Sequence, residues 1–314
     1  MTVEATAPTP MPSGLPATLE AARPLLVGRA FTGVGHALRV RELRLQGVEG
    51  YLEAAAVVVD DLYVGAVLDL PTSDVPVSSE LRTRWGVVAS EVVAAATSAE
   101  HPPALSQVGA VVVVQGAAPV AAVLHRAALV ERVLGSRAPL VVAPAVDTMV
   151  VAPADDPQAV LAAAQIADRV LAGTQHPLSA APLVRSGEGW AIGAWPQAAQ
   201  AAGRALRARL TVLEHARLRQ LLQAHYDRTD ESAVIAEAVL VPAADGGAAT
   251  RARFVEGQRT VLPRVDEVEL VRADGGTRLV SFAALAAVQG LLTPLEGTAP
   301  PLVYPTAFPD PSAS

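Results

Sequence analysis

The sequence predicts an α/β fold of the α+β kind: helices packed on a mixed sheet, then a long helix, then a C-terminal antiparallel β meander. Three observations carry that expectation. Up to Trp195, short β-branched runs alternate with stretches of helical period. Past Gln197, Leu206, Leu210, Leu213 and Leu221, with Ala224, recur along one side of a single helix reaching about His225. Beyond Thr229 the period changes to two, and Asp245-Gly246-Gly247, Glu256-Gly257 and Asp274-Gly275-Gly276 separate the runs as hairpin turns.

Taken in order, residues 1–16 hold four prolines and no basic residue, and read as a flexible leader without the charged start of a secretory signal. Leu19, Ala22, Leu25 and Leu26 suit a short helix over 17–26, broken by Gly28, Gly33 and Gly35. The stretch with Leu38, Val40, Leu43 and Leu45 and the Val-rich stretch 55–70 together read as two or three strands, the second pair joined by a tight turn at Asp60-Asp61. Ser78 or Ser79 caps a helix carrying Leu81 and Trp85, and a second helix follows Gly86 and stops at His101-Pro102-Pro103. The run 108–114 reads as one strand buried on both faces, and Pro119 as the first turn of a helix reaching Leu134. Strands at 140–143 and 148–152 flank Pro144-Ala145-Val146-Asp147, and Asp155 or Asp156 with Pro157 opens a helix ending at Gly173. The domain organisation expected is 17–196 as an α/β domain, 197–230 as a helical connector, 231–290 as a β-meander domain and 291–314 as a Pro/Ala-rich tail.

Composition narrows the chemistry further. With 51% hydrophobic residues the chain can build a substantial core, but only 4% are aromatic, so that core rests on many small contacts. There is no Cys, Lys or Asn, and every basic residue is Arg. Thiol nucleophiles, thiolate metal sites and disulfides are therefore excluded, as are lysine Schiff bases and the lysine of a Walker-type phosphate loop. A net charge of −7 opposes attraction to phosphate backbones and anionic membranes. The longest apolar stretch, 108–124, is broken by Gly109, Gln115, Gly116 and Pro119, so no membrane span is expected and the location inferred is cytoplasmic.

The six histidines show no metal-binding spacing. Arg185-Ser186-Gly187-Glu188-Gly189 holds its glycines in the wrong frame for a nucleophile elbow and reads as a hairpin turn. At Gly28, Gly33 and Gly35 a phosphate cradle would need a strand before and a helix after, and the order read here is the reverse. Arg204, Arg207, Arg209, Arg217 and Arg219 ring their helix at about 100° per residue rather than forming a stripe, so nucleic-acid contact is not expected. The acidic residues give the positive signal. Asp60, Asp61, Asp69 and Asp74 surround one strand pair and are the candidate metal ligands; Asp69 and Asp147 are the candidate catalytic acid and base. Asp is also the commonest turn residue, which accounts for the same pattern without chemistry.

The run 60–69, then Leu81 with Trp85-Gly86, resembles the middle of the bacterial family named domain of unknown function 1444. Residues 139–147 with His176-Pro177-Leu178-Ser179 are similar to its second half, and Arg23-Pro24-Leu25-Leu26-Val27 to its opening segment. The likeness spans roughly 23–190; Pro144-Ala145-Val146-Asp147 keeps the ends and loses the polar middle of the family's Pro-Asn-Arg-Asp pattern. It implies a fold and no activity. The function expected is a non-catalytic binding or assembly protein of the bacterial cytoplasm, without a cofactor, joining a second copy or a protein partner through its C-terminal β segment. The alternative is a metal-assisted hydrolase using the strand-end aspartates.

Overall fold

The computed structural model describes residues 15–45, 54–71, 73–98, 102–134, 138–229 and 233–309. The class is α+β, as the alternating periods require. A short helix α1 (Leu19–Ala22) and a 3-10 turn lead into β1 (Leu26–Thr32), which is followed by α2 (Gly33–Leu45). The hairpin β2 (Ala55–Val59) and β3 (Leu62–Leu70) turns at Asp60-Asp61, and β4 (Ser73–Pro76) folds back on β3. These strands form an antiparallel sheet in which β3 pairs with β1, β2 and β4. Helix α3 (Ser79–Trp85) starts where the Ser78 side chain accepts from the Leu81 N–H at 3.3 Å and ends at left-handed Gly86; α4 (Ala89–Ser98) then lies on the sheet.

The second sheet is built from β5 (Ala104–Val108) and β6 (Val111–Gln115), then β7 (Pro139–Ala145), β8 (Thr148–Pro153), β9 (Leu183–Ser186) and β10 (Gly189–Ile192). Its order is β10-β9-β7-β8-β6-β5, antiparallel throughout. Between β6 and β7 come α5 (Ala117–His125) and α6 (Glu131–Leu134); between β8 and β9 comes α7 (Pro157–Gly173). Val114, Val141, Met149 and Val151 face α5, which also touches the first sheet; Val113, Leu140, Val142 and Val150 face α7 on the other side. Being covered on both faces, β7 and β8 are buried at every residue, which is why they read as unbroken apolar runs.

Helix α8 (Gln200–Thr229) is the longest element and packs on α7, on α2 and on the C-terminal strands. Those strands are β11 (Val234–Ile235), β12 (Val239–Pro242), β13 (Ala248–Val255), β14 (Thr260–Pro263), β15 (Glu267–Val271) and β16 (Thr277–Ser281). Helix α9 (Phe282–Ala287), β17 (Leu292–Leu295) and β18 (Leu302–Pro305) complete the described chain. Two sheets result, β12-β13-β15-β16 and β11-β14-β18-β17, and among the described residues the parallel pairs fall here, β13 with β15 and β11 with β14. Leu206 joins the α7 core, Val212 packs against Phe254 and its neighbours, and Leu218 and Leu222 meet Leu38, Val261 and Leu302.

Several expectations are corrected. Residues 38–45 are helical, not a strand, because Leu38 packs on α8 and Glu42 binds Arg217 at 3.1 Å. The helix expected over 17–26 gives way to β1 at Leu26. The run 108–114 is split by a turn at Gly109-Ala110 into the hairpin β5–β6, and the helix expected from Pro119 to Leu134 is interrupted at non-helical Arg126. Glu256-Gly257 makes no hairpin: β13 and β14 enter different sheets, so the C-terminal strands are not one simple meander. The expected tail 291–314 holds β17 and β18 in its described part, with Leu302 only 2% exposed and Phe308 packed on Phe254 at 5.1 Å. Of the expected leader, 1–14 lie outside the described residues, while the Pro16 carbonyl accepts from the Trp85 indole N–H at 3.0 Å.

Candidate functional site

Among the described residues the nominated aspartates form no cluster of three or more. Asp60 occupies the β2–β3 turn with φ 48°. Asp69 lies directly opposite Asp74 in the β3–β4 register, a like-charge pairing offset by Arg29, whose Nη2 and Nε approach Asp74 Oδ2 at 2.9 and 3.1 Å. Asp147 is exposed in the β7–β8 turn of the other sheet, where it accepts from Thr148 Oγ1 at 3.1 Å. Asp69 and Asp147 thus sit in different sheets, and among the described residues no group of three or more acidic or histidine side chains converges as a metal site would need.

Asp61 is the aspartate with a built role. Strand β1 does precede Gly33 and helix α2 does follow it, the order a phosphate cradle needs and the reverse of the one expected. The helix start is nevertheless spent internally. The Gly33 N–H donates to the Asp61 carbonyl at 3.1 Å, the Val34 N–H to Asp61 Oδ2 at 3.4 Å, and the Gly35 N–H to Thr32 Oγ1 at 3.0 Å. A Cβ at position 33 would fall 2.2 Å from Asp61 Oδ1, so glycine is what lets the carboxylate close on the helix end. A carboxylate seated there satisfies the N–H groups and the helix dipole that a phosphate would otherwise seek.

Glu214, on α8, lies within electrostatic reach of Asp61. Burial, and then the Asp61 charge, push its carboxyl up to about 7. Its neighbour His215, 5% exposed, is pushed down to about 4 by burial, against an opposing hydrogen bond to the Arg264 backbone. The signal for Glu214 was present in the sequence: Leu206, Leu210, Glu214, Leu218 and Leu222 form one row at four-residue spacing, with a carboxyl in an otherwise apolar line. Across the β1–β3 pair Phe31 stacks on Tyr63 with ring centres 5.5 Å apart, and it meets His36 at 5.7 Å.

A cleft of about 420 Å³ opens in the C-terminal strands. It forms where the chain leaves β11 beside β14 and crosses to β12 beside β13, which parts the two sheets. Ile235, Ala236, Ala252 and Val255 line its apolar part. Exposed Val234 and Val239 border it, 49% and 41% accessible. Its charged lining is largely paired: Arg219 with Glu237 at 3.7 Å and Arg253 with Glu269 at 2.9 Å, while Arg251 reaches Glu267 at 2.8 Å. Other arginines of α8 reach further elements, Arg209 to Asp168 at 2.7 Å, Arg217 to Glu42 at 3.1 Å and Arg204 to Asp245.

Compared with known proteins, the chain matches no family model, no curated protein and no solved structure. No helix among the described residues is long and apolar enough to cross a membrane.

Proposed function

We propose that the chain is a non-catalytic binding protein of the bacterial cytoplasm whose C-terminal cleft receives an extended segment of a protein partner. The observation that carries this reading is the cleft itself. It combines an apolar floor, two exposed valines and a rim of both charge signs at the point where two sheets part. Burying Val234 and Val239 under a partner side chain removes apolar surface from water, and the Arg219, Glu237, Arg253 and Glu269 side chains can re-pair with groups on the partner. An extended segment fits this shape because β12 is an edge strand of its sheet, with backbone groups on its outer side for pairing.

The reading is tested by selecting displayed peptides on the immobilised full-length chain. Peptides are expected to enrich and to lose at least about tenfold in affinity toward the V234R/V239R double variant. Failure of any peptide to enrich, or equal affinity for the variant, would overturn it. The hydrolase reading draws no support from the placement of Asp69 and Asp147 in separate sheets.

A further inference from the structure

We propose that strand β5 is a self-pairing edge: two copies of the chain join their β5 strands antiparallel about a two-fold axis at Ser106. This inference is independent of the cleft, which lies in other sheets.

Strand β5 ends the order of the six-stranded sheet, and all five of its residues are exposed, Leu105 and Val108 each at 55%. An unprotected edge of this kind is normally blunted by charge, proline or a cover. Among the described residues the other outer strands are guarded by charge or proline, as Arg29 in β1, Arg278 in β16, Pro294 in β17 and Pro76 in β4, or are as short as the two-residue β11, apart from β12, the edge assigned above to the partner of the cleft. At the far end of the same sheet β10 lies against β2. By contrast β5, its turn and β6 contain no charged residue and no proline.

The choice of a second copy as occupant follows from charge and symmetry. On a chain of net charge −7, a neutral edge is where two copies approach without like-charge opposition, and it offers an oppositely charged partner nothing to read. The hairpin closes at Val108 opposite Val111 across a two-residue turn. In such hairpins the closing pair is hydrogen-bonded, so Val108, Ser106 and Ala104 turn their backbone groups toward β6, and Leu105 and Gln107 turn theirs outward. Centring the axis on Ser106 sets Leu105 opposite Gln107 of the second copy twice over, satisfying every outward group, and places Ser106 against its own image. The six-stranded sheet then continues across the axis.

The test is sedimentation velocity or light scattering on the full-length chain. Wild type is expected at twice its 32.3 kDa mass. Ser106→Asp and Ser106→Arg, each of which sets like charges face to face, are expected at the single-chain mass, and an equimolar mixture of the two at the doubled mass. Because Ser106 is exposed, circular dichroism of both variants should match wild type. A wild type that stays single at high concentration overturns the proposal, as does a dimer that ignores both substitutions. A monomer that dimerises only when residues 1–14 are removed also overturns it, by assigning the edge to the chain's own N-terminal segment.

Discussion

Glu214 and His215 are adjacent on α8 and respond to pH in opposite senses. The Glu214 carboxyl rises from 4.5 to about 7 on folding, so its contribution to stability is complete below 4.5 and is lost as pH rises through 7. His215 falls from 6.5 to about 4, so its contribution is complete above 6.5 and is lost as pH falls through 4. Between 4.5 and 6.5 the two slopes, each at most about 1.4 kcal/mol per pH unit, oppose each other. Urea unfolding across that window should therefore show Glu214→Gln losing stability on acidification and His215→Gln gaining it; parallel curves would refute the assignment. Gly33→Ala should cost about 1 kcal/mol by expelling the Asp61 cap, and should cost little more once Asp61 is already Ala. Aspartates are legible as turn and cap formers, whereas Glu214 is not, because a single carboxyl beside leucines on a helix is what a solvated face also presents.

At the level of elements, the strands and helices whose signals are local were legible. Ser78 capping α3, the Asp60-Asp61 turn and the Asp156 cap of α7, whose Oδ1 accepts from the Gln158 and Ala159 N–H groups at 3.1 and 3.0 Å, all lie next to what they control. Helix α2 was not legible because Asp61, which closes on its start, comes after the β2 strand, and its packing partner is α8. The β5–β6 turn was hidden in a valine-rich run, where Gly109 was the one mark. Proline in 291–309 suggested a tail, yet β17 sits at a sheet edge where Pro294 is tolerated, and β18 pairs on both sides. Leu302 supplies the check: Leu302→Ala should cost about 2–5 kcal/mol in urea unfolding, as a core truncation does, whereas a loose tail would lose almost nothing.

Across the whole molecule, α8 joins what composition alone could only place side by side. It contacts α7, α2 and β13, and its arginines reach Asp168, Glu42, Glu237 and Asp245 in four separate segments. The fold class was legible because helical and strand periods survive averaging over many residues; strand order was not, because it is set by contacts remote in sequence. The cleft was beyond the sequence for the same reason, since its lining comes from α8, the β11–β12 crossing, β13 and β15. A thermal-shift series with Mg²⁺, Mn²⁺, Ca²⁺ and Zn²⁺ should leave the melting temperature unchanged, because among the described residues no three acidic or histidine side chains converge. The claim that the chain works by receiving a polypeptide in its C-terminal cleft is tested most directly by hydrogen exchange of the full-length protein with and without a selected peptide. Slowed exchange should concentrate in 234–239 and 251–255. Unchanged exchange there, or protection confined to the segments around Asp69 and Asp147, would contradict it.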